Sequence, residues 1–312
     1  MPWKQDYTIS DEIGIKDADV RWPEGRRCCL SLVVDLSPAS TPAGITVADL
    51  KHPTTLFGMT VGLQNVMQLL RRFGLRATFA VPAVMAEIYP DRIRAIREDG
   101  HEIAAGGWKH EDVSALSVEE ERERVALTTS TLERIVGSRP KGWFSLPRQQ
   151  DAFAVGSVSK ATMGLLIDAG YSYMGNGLAD DAPHYWVADF RQRKTILTLP
   201  YHYSCDDQFF LMFPVEGTGL DRVNALKRNW LREFDAQYRR GRCFSLTVHP
   251  KGTGWGHHAE AFEETLAYMT GFPDLWNATG SECADHWLAT YPADTHLQLS
   301  PPIWKDHEGS LS

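Results

Sequence analysis

The strongest constraint on how this chain folds is a repeated change of period. Short apolar, β-branched runs alternate with stretches patterned as amphipathic helices, from "CCLSLVVD" at 28–35 almost to the end of the chain. That first run is apolar on both faces and bounded by charge, as a buried strand should be. "RATFAV" (76–81), "HEIAA" (101–105), "KGWFS" (141–145), "YSYMGN" (171–176), "TILTLPY" (195–201), "RCFSLTVHP" (242–250) and "LWNAT" (275–279) repeat the signal.

Between these runs lie helices with their own punctuation. "TVGLQNVMQLLRRFG" (60–74) carries apolar residues at helical spacing and stops at Gly74. "AVMAEIYPDRIRAIREDG" (83–100) reads as helix broken at Pro90. Ser117 and Glu120 make a capping box for a helix that ends at Gly137, with Pro140 beyond it. Further helices follow at 160–170, 221–241, 259–271 and 281–291. Strands that alternate with helices predict an α/β chain, a parallel sheet or barrel with helices outside. We read residues 1–27 as an N-terminal arm, 28–290 as a single domain and 291–312 as a C-terminal tail.

Composition narrows the partners. With 312 residues, 43% of them hydrophobic, the chain buries a large core. A net charge of -8 without any basic block gives no surface for neutralising phosphates, so no nucleic-acid partner is expected. No apolar leader and no long apolar run is present, so no membrane span is expected and the cytoplasm is the expected location. The five cysteines are odd in number and form no CxxC pair, which reads as free thiols rather than a disulfide framework.

In parallel α/β folds the chemistry sits at the carboxyl ends of the strands. Asp35, the segment "GGWKHED" (106–112) and His249 each fall at or just past such an end, so they converge on one mouth. Asp35 is a candidate general base or metal ligand, with burial expected to raise its pKa. His249 is a candidate general acid or base. His110 stands beside Glu111 and Asp112, and as one imidazole it supplies a single ligand where a catalytic zinc site takes three. Trp108 and Trp143, with Tyr203 and Trp255, are aromatics beside these motifs that suit flat rings. The doublets Asp180-Asp181 and Asp206-Asp207 read equally as polar substrate contacts or solvated turns. His257-His258 leads into a helix and carries little signal.

"CLSLVVD", "LRATFAVPAVMAE", "IREDGHEIAAGGWKHEDVSALS", "GSRPKGW", "LPYHYSCDD" and "LTVHP" occur in the order found in the polysaccharide deacetylase, or NodB-homology, superfamily, and the chain resembles that family from about residue 22 to 290. It is most similar to the intracellular branch that includes cyclic imide hydrolases and the deacetylase-type allantoinase. The resemblance implies a distorted (β/α)7-type barrel, often assembled as a homotetramer. It places the base at Asp35 and the late acid at His249. It also implies a metal held by an Asp at Leu36 or Ser37 and a His pair at Gly106 and His110, and of these only His110 is a ligand type. Zinc then requires substitute ligands, such as His52 or an acidic doublet.

The expected function is therefore a hydrolase of a non-peptide carbon–nitrogen bond in a small, cyclic amide, imide or ureide, with a degenerate or absent metal site. Asp35 and His249 are the catalytic pair in this reading. Trp108, His110, Trp143, Asp206 and Asp207 contact the small-molecule substrate, and His110 and backbone N–H groups hold the oxyanion. The alternatives are a metal-dependent amino-sugar N-deacetylase with rebuilt ligands and a non-catalytic ligand-binding homologue.

Overall fold

A computed structural model describes residues 14–148, 156–189, 192–211 and 223–297. Its strands are β1 (Cys28–Asp35), β2 (Thr78–Val81), β3 (Glu102–Ala105), β4 (Gly142–Trp143), β5 (Tyr173–Gly177), β6 (His184–Asp189), β7 (Lys194–Pro200), β8 (Cys243–Val248) and β9 (Leu275–Ala278). They form one sheet in the order β6-β7-β5-β4-β3-β2-β1-β8. Every pairing from β8 through β1, β2, β3, β4 and β5 to β7 is parallel. These are the strands of a distorted (β/α)7 barrel. β6 is an antiparallel addition on β7, and β9 pairs with the first half of β1 on the edge that β2 takes further along.

The gap between β7 and β8 is spanned differently. A single parallel bridge joins Asp206 to Thr247, and the Asp207 amide donates to the Thr247 carbonyl at 3.1 Å. The chain leaving β7 thus lies along the carboxyl end of β8 and brings both acids there.

One expected strand shortens and one unexpected strand is present. "KGWFS" pairs only over Gly142–Trp143, and β6, whose sequence "HYWVAD" is rich in strand-forming residues, was not anticipated. The predicted helix at 60–74 is regular only over Leu63–Arg72, and Gly58–Gly62 before it forms a π-turn. Helices at Val118–Val136, Thr162–Asp168, Val223–Arg240, Gly256–Thr270 and Gly280–Thr290 agree with the pattern, and the Ser117–Glu120 capping box is formed.

Alternate residues of β1 divide the core. Leu30, Leu32 and Val34 join one cluster with Phe79, Phe244 and Trp230, while Cys29 and Val33 join another with Tyr173 and Trp287. Burying a Phe such as Phe79 contributes about 1.5–3 kcal/mol each time. Ile15, Val20 and Trp22 belong to the second cluster, and the Trp22 indole donates to the Gly241 carbonyl at 2.9 Å. All five cysteines are buried free thiols.

Candidate active site

The carboxyl ends of β1 and β8 place Asp35 and His249 side by side, since Val34 pairs with Val248 in the ladder. Asp35 is 4% exposed and His249 1% exposed. His249 Nε2 lies 3.2 Å from Asp35 Oδ2, and its Nδ1 lies 2.6 Å from Asp207 Oδ1. Ionised carboxylates only accept hydrogen bonds. Both ring nitrogens therefore donate, and His249 is an imidazolium. Burial pushes its pKa down, but Asp207, Asp206 and Asp35 outweigh it and raise the group to about 10. The same pairing acts on Asp35 in the opposite sense. Burial pushes its pKa up, yet the His249 hydrogen bond and charge, with His110 and the Ser37 amide, hold it below the usual carboxylate value. The expectation that burial would raise Asp35 is thus corrected: an adjacent cation decides its charge.

Asp206 and Asp207 are fully buried and turn inward. Asp207 Oδ2 accepts from the His249 amide at 2.9 Å and from the Thr253 hydroxyl at 2.6 Å. Asp206 accepts from the Tyr201 hydroxyl at 2.6 Å and from Gln208 Nε2 at 2.8 Å. Burial, with the charge of Asp207, raises the Asp206 pKa to about 6 against the opposing pull of His249, Tyr201 and the Gln208 amide. These two acids orient and charge His249; they are not displayed as substrate contacts. Asp180 and Asp181 pair elsewhere, with Arg242 and Arg240.

His110 has a left-handed backbone, φ 58°, fixed by Arg148 donating to its carbonyl at 3.0 Å. Its Nε2 donates to the Leu146 carbonyl at 2.6 Å, and its Nδ1 meets Ser37 Oγ at 2.6 Å. Ser37 also gives its amide to Asp35 Oδ1 at 2.8 Å, so one residue ties His110 to the base.

Trp143 is 4% exposed, its indole N–H on Ser145 Oγ at 3.1 Å. Trp108 is half-buried and lines, with Gly106, His110 and Trp143, a narrow cleft beside the site. His52 caps the short helix Pro53–Phe57, with Nδ1 2.7 Å from Thr54 Oγ1. The stretch 38–60, which no sequence pattern constrained, forms two capped helical turns that wall a groove of about 540 Å³ together with Trp255 and His258.

The arrangement does not fit a zinc ion at the positions the resemblance implies. Two ligands about 2.1 Å from a tetrahedral zinc stand about 3.4 Å apart. Ser37 Oγ and His110 Nδ1 are at hydrogen-bond distance, and His110 Nε2 carries a proton for Leu146. At the first histidine position, a Cβ on Gly106 would meet Pro82 N at 2.9 Å and the Val81 carbonyl carbon at 3.0 Å. Asp206, Asp207 and His249 form a second cluster whose composition can hold a metal. In the present arrangement their atoms hydrogen-bond to one another and to Tyr201, Gln208 and Thr253.

Comparisons with known proteins agree with this fold. Residues 52–174 match the family model described as polysaccharide deacetylase. A Mycobacterium smegmatis protein assigned to the polysaccharide deacetylases superimposes with a TM-score of 0.78 at 26% identity, over 94% of this chain and 99% of its own. The Puue allantoinase does so at 0.75 and 21% identity, over 90% and 95%. The peptidoglycan deacetylase of Helicobacter pylori is 21% identical over 263 residues, 76% of this chain and 87% of its own length.

These relatives support a hydrolase of carbon–nitrogen bonds other than peptide bonds. Residues 52–174 carry the polysaccharide deacetylase match, and the chain as a whole is similar to proteins of that superfamily. Among the described residues no helix is long and apolar enough to cross a membrane.

Sequence reasoning singled out Asp35 and His249 but missed Ser37, Tyr201, Gln208 and Thr253. Ser37 was noted only as a non-acidic position. The other three are ordinary polar residues whose roles arise from the Asp206–Thr247 bridge, which no local pattern announces.

Proposed function

We propose that this protein hydrolyses a small cyclic amide, imide or ureide without a metal ion. The observation that carries the reading is the buried Asp35–His249 ion pair at the ends of β1 and β8, with His110 committed to Ser37 and Leu146. The allantoinase among the similar structures is consistent with a ureide substrate.

The resting pair holds one base and one acid. Asp35 lines a cavity of about 10 Å³, enough for about one water. This cavity adjoins the larger groove through Pro38, Thr55 and Lys251. Asp35 takes a proton from the water as its oxygen adds to the substrate carbonyl. Separating the 3.2 Å pair during this step removes the interaction that lowers the Asp35 pKa, so the carboxylate gains basicity when it is needed. His249 then gives its Nε2 proton to the departing nitrogen as the C–N bond breaks. Afterwards the Asp35 proton returns to His249 and restores the ion pair. Ring strain and electron-poor carbonyls lower the demand for a Lewis acid, and so favour this substrate class over an N-acetyl sugar.

Chelator-treated protein should turn over at least one member of a panel of allantoin, succinimide, hydantoin and dihydrouracil. Asp35→Asn should reduce that rate by about 10²–10⁴-fold. An inert panel, or an unaffected Asp35→Asn, rejects the reading.

The Asp206–Asp207–His249 cluster favours one second reading, a metal-dependent N-deacetylase with rebuilt ligands. It requires these groups to give up their hydrogen bonds to an ion. One equivalent of tightly bound zinc, lost together with N-acetylglucosamine deacetylation on chelation, would establish it.

A further inference from the structure

Every acyl-transfer site needs something to hold the oxyanion, and His110 has both ring nitrogens engaged. The turn that follows His249 supplies another group. Pro250 begins a short helix right after β8, and Lys251 follows it. Two glycines let the neighbouring π-turn close onto this turn. A Cβ on Gly58 would meet Lys251 Cβ at 2.8 Å, and one on Gly62 would meet the Pro250 carbonyl oxygen at 2.2 Å. The lysine is thereby pressed toward the mouth of the barrel. Its Nζ donates to the Ser37 carbonyl at 2.9 Å, which anchors it two residues from Asp35. An ammonium carries three protons and this bond uses one.

Lys251 lines the one-water cavity beside Asp35 and also the substrate groove, and among the described residues it is the one charged residue that lines both. A carbonyl whose carbon is attacked by a water in that cavity would lie between the two spaces.

We propose that Lys251 is a catalytic residue that holds the tetrahedral oxyanion and supplies, from a side chain, the positive charge that a metal ion supplies in other hydrolases. This rests on the hydrolase reading above. The charge develops on the carbonyl oxygen when the water oxygen adds, and it returns to the carbonyl bond when nitrogen leaves with the His249 proton. Lys251 keeps its own protons throughout. Burial pushes its pKa down, while the attraction of Asp35, Asp207, Asp49 and Asp206 opposes the shift.

The test uses inorganic phosphate, a tetrahedral anion, titrated calorimetrically into the full chain. Lys251→Met should weaken binding at least about tenfold, and Lys251→Arg, which keeps the charge, should recover most of it. Asp35→Asn should strengthen binding by removing a like charge. On any substrate that turns over, Lys251→Met should lower kcat by about 10²–10³-fold with little change in KM. Equal phosphate affinity in the wild type and a folded Lys251→Met, or no phosphate binding by the wild type and Asp35→Asn, overturns the proposal. An inert substrate panel with the phosphate pattern intact overturns the cyclic-amide reading and leaves the anion site standing.

Discussion

Asp207 is the residue on which the acid depends. It bonds the His249 ring at 2.6 Å and the His249 amide at 2.9 Å, fixing both orientation and charge. Replacing it by Asn keeps the shape and removes the strongest attraction that raises His249. We expect Asp207→Asn to move the His249 titration, followed by ring-proton NMR, down from about 10 toward 6.5. The hydrolysis rate should fall by about 10²–10⁴-fold. An unmoved titration would show that Asp207 does not set the charge. At this scale the sequence was informative where a titratable residue ends a strand, as Asp35 and His249 do. It was uninformative about Asp206 and Asp207, because an acidic doublet in a loop looks the same whether it is solvated or buried. What distinguishes them is the Thr247 bridge, a contact across about forty residues of chain.

The β2–β3 pair is the element that departs furthest from a metal site. Its backbones approach so closely at the end of β3 that Gly106 has no room for a Cβ beside Val81 and Pro82. Gly106→Ala should therefore destabilise the fold by about 1–3 kcal/mol, read as a lower urea midpoint. Gly106→His should fail to create a tight zinc site, as measured by zinc titration. An alanine variant as stable as wild type would mean that the strands part freely. The glycine itself was legible as a departure from the His-x3-His pattern, but the packing behind it was not. Likewise the alternating strands and helices were readable from periodicity and caps, as at Ser117 and Gly137. Residues 38–60 were not, because their short helical turns are set by the Thr46 and His52 caps and by packing against Pro250 and Lys251.

Across the whole molecule, the buried charges couple stability to pH. His249 has its folded pKa raised to about 10 from 6.5. Its contribution is fully present below about pH 6.5 and is lost as pH rises through about 10. Denaturant unfolding from pH 7 to 11 should show falling stability in the wild type and a shallower fall in His249→Gln. Equal slopes would place the titration elsewhere.

At the same scale, the barrel gathers a base from β1, an acid from β8 and the acid's two carboxylate partners from the segment after β7. The central claim is that this set works without a metal ion. It is tested most directly by the turnover of the cyclic-amide panel by chelator-treated protein, measured before and after adding one equivalent of zinc. The account predicts turnover without zinc and no gain on adding it. Turnover that appears only with zinc would contradict it.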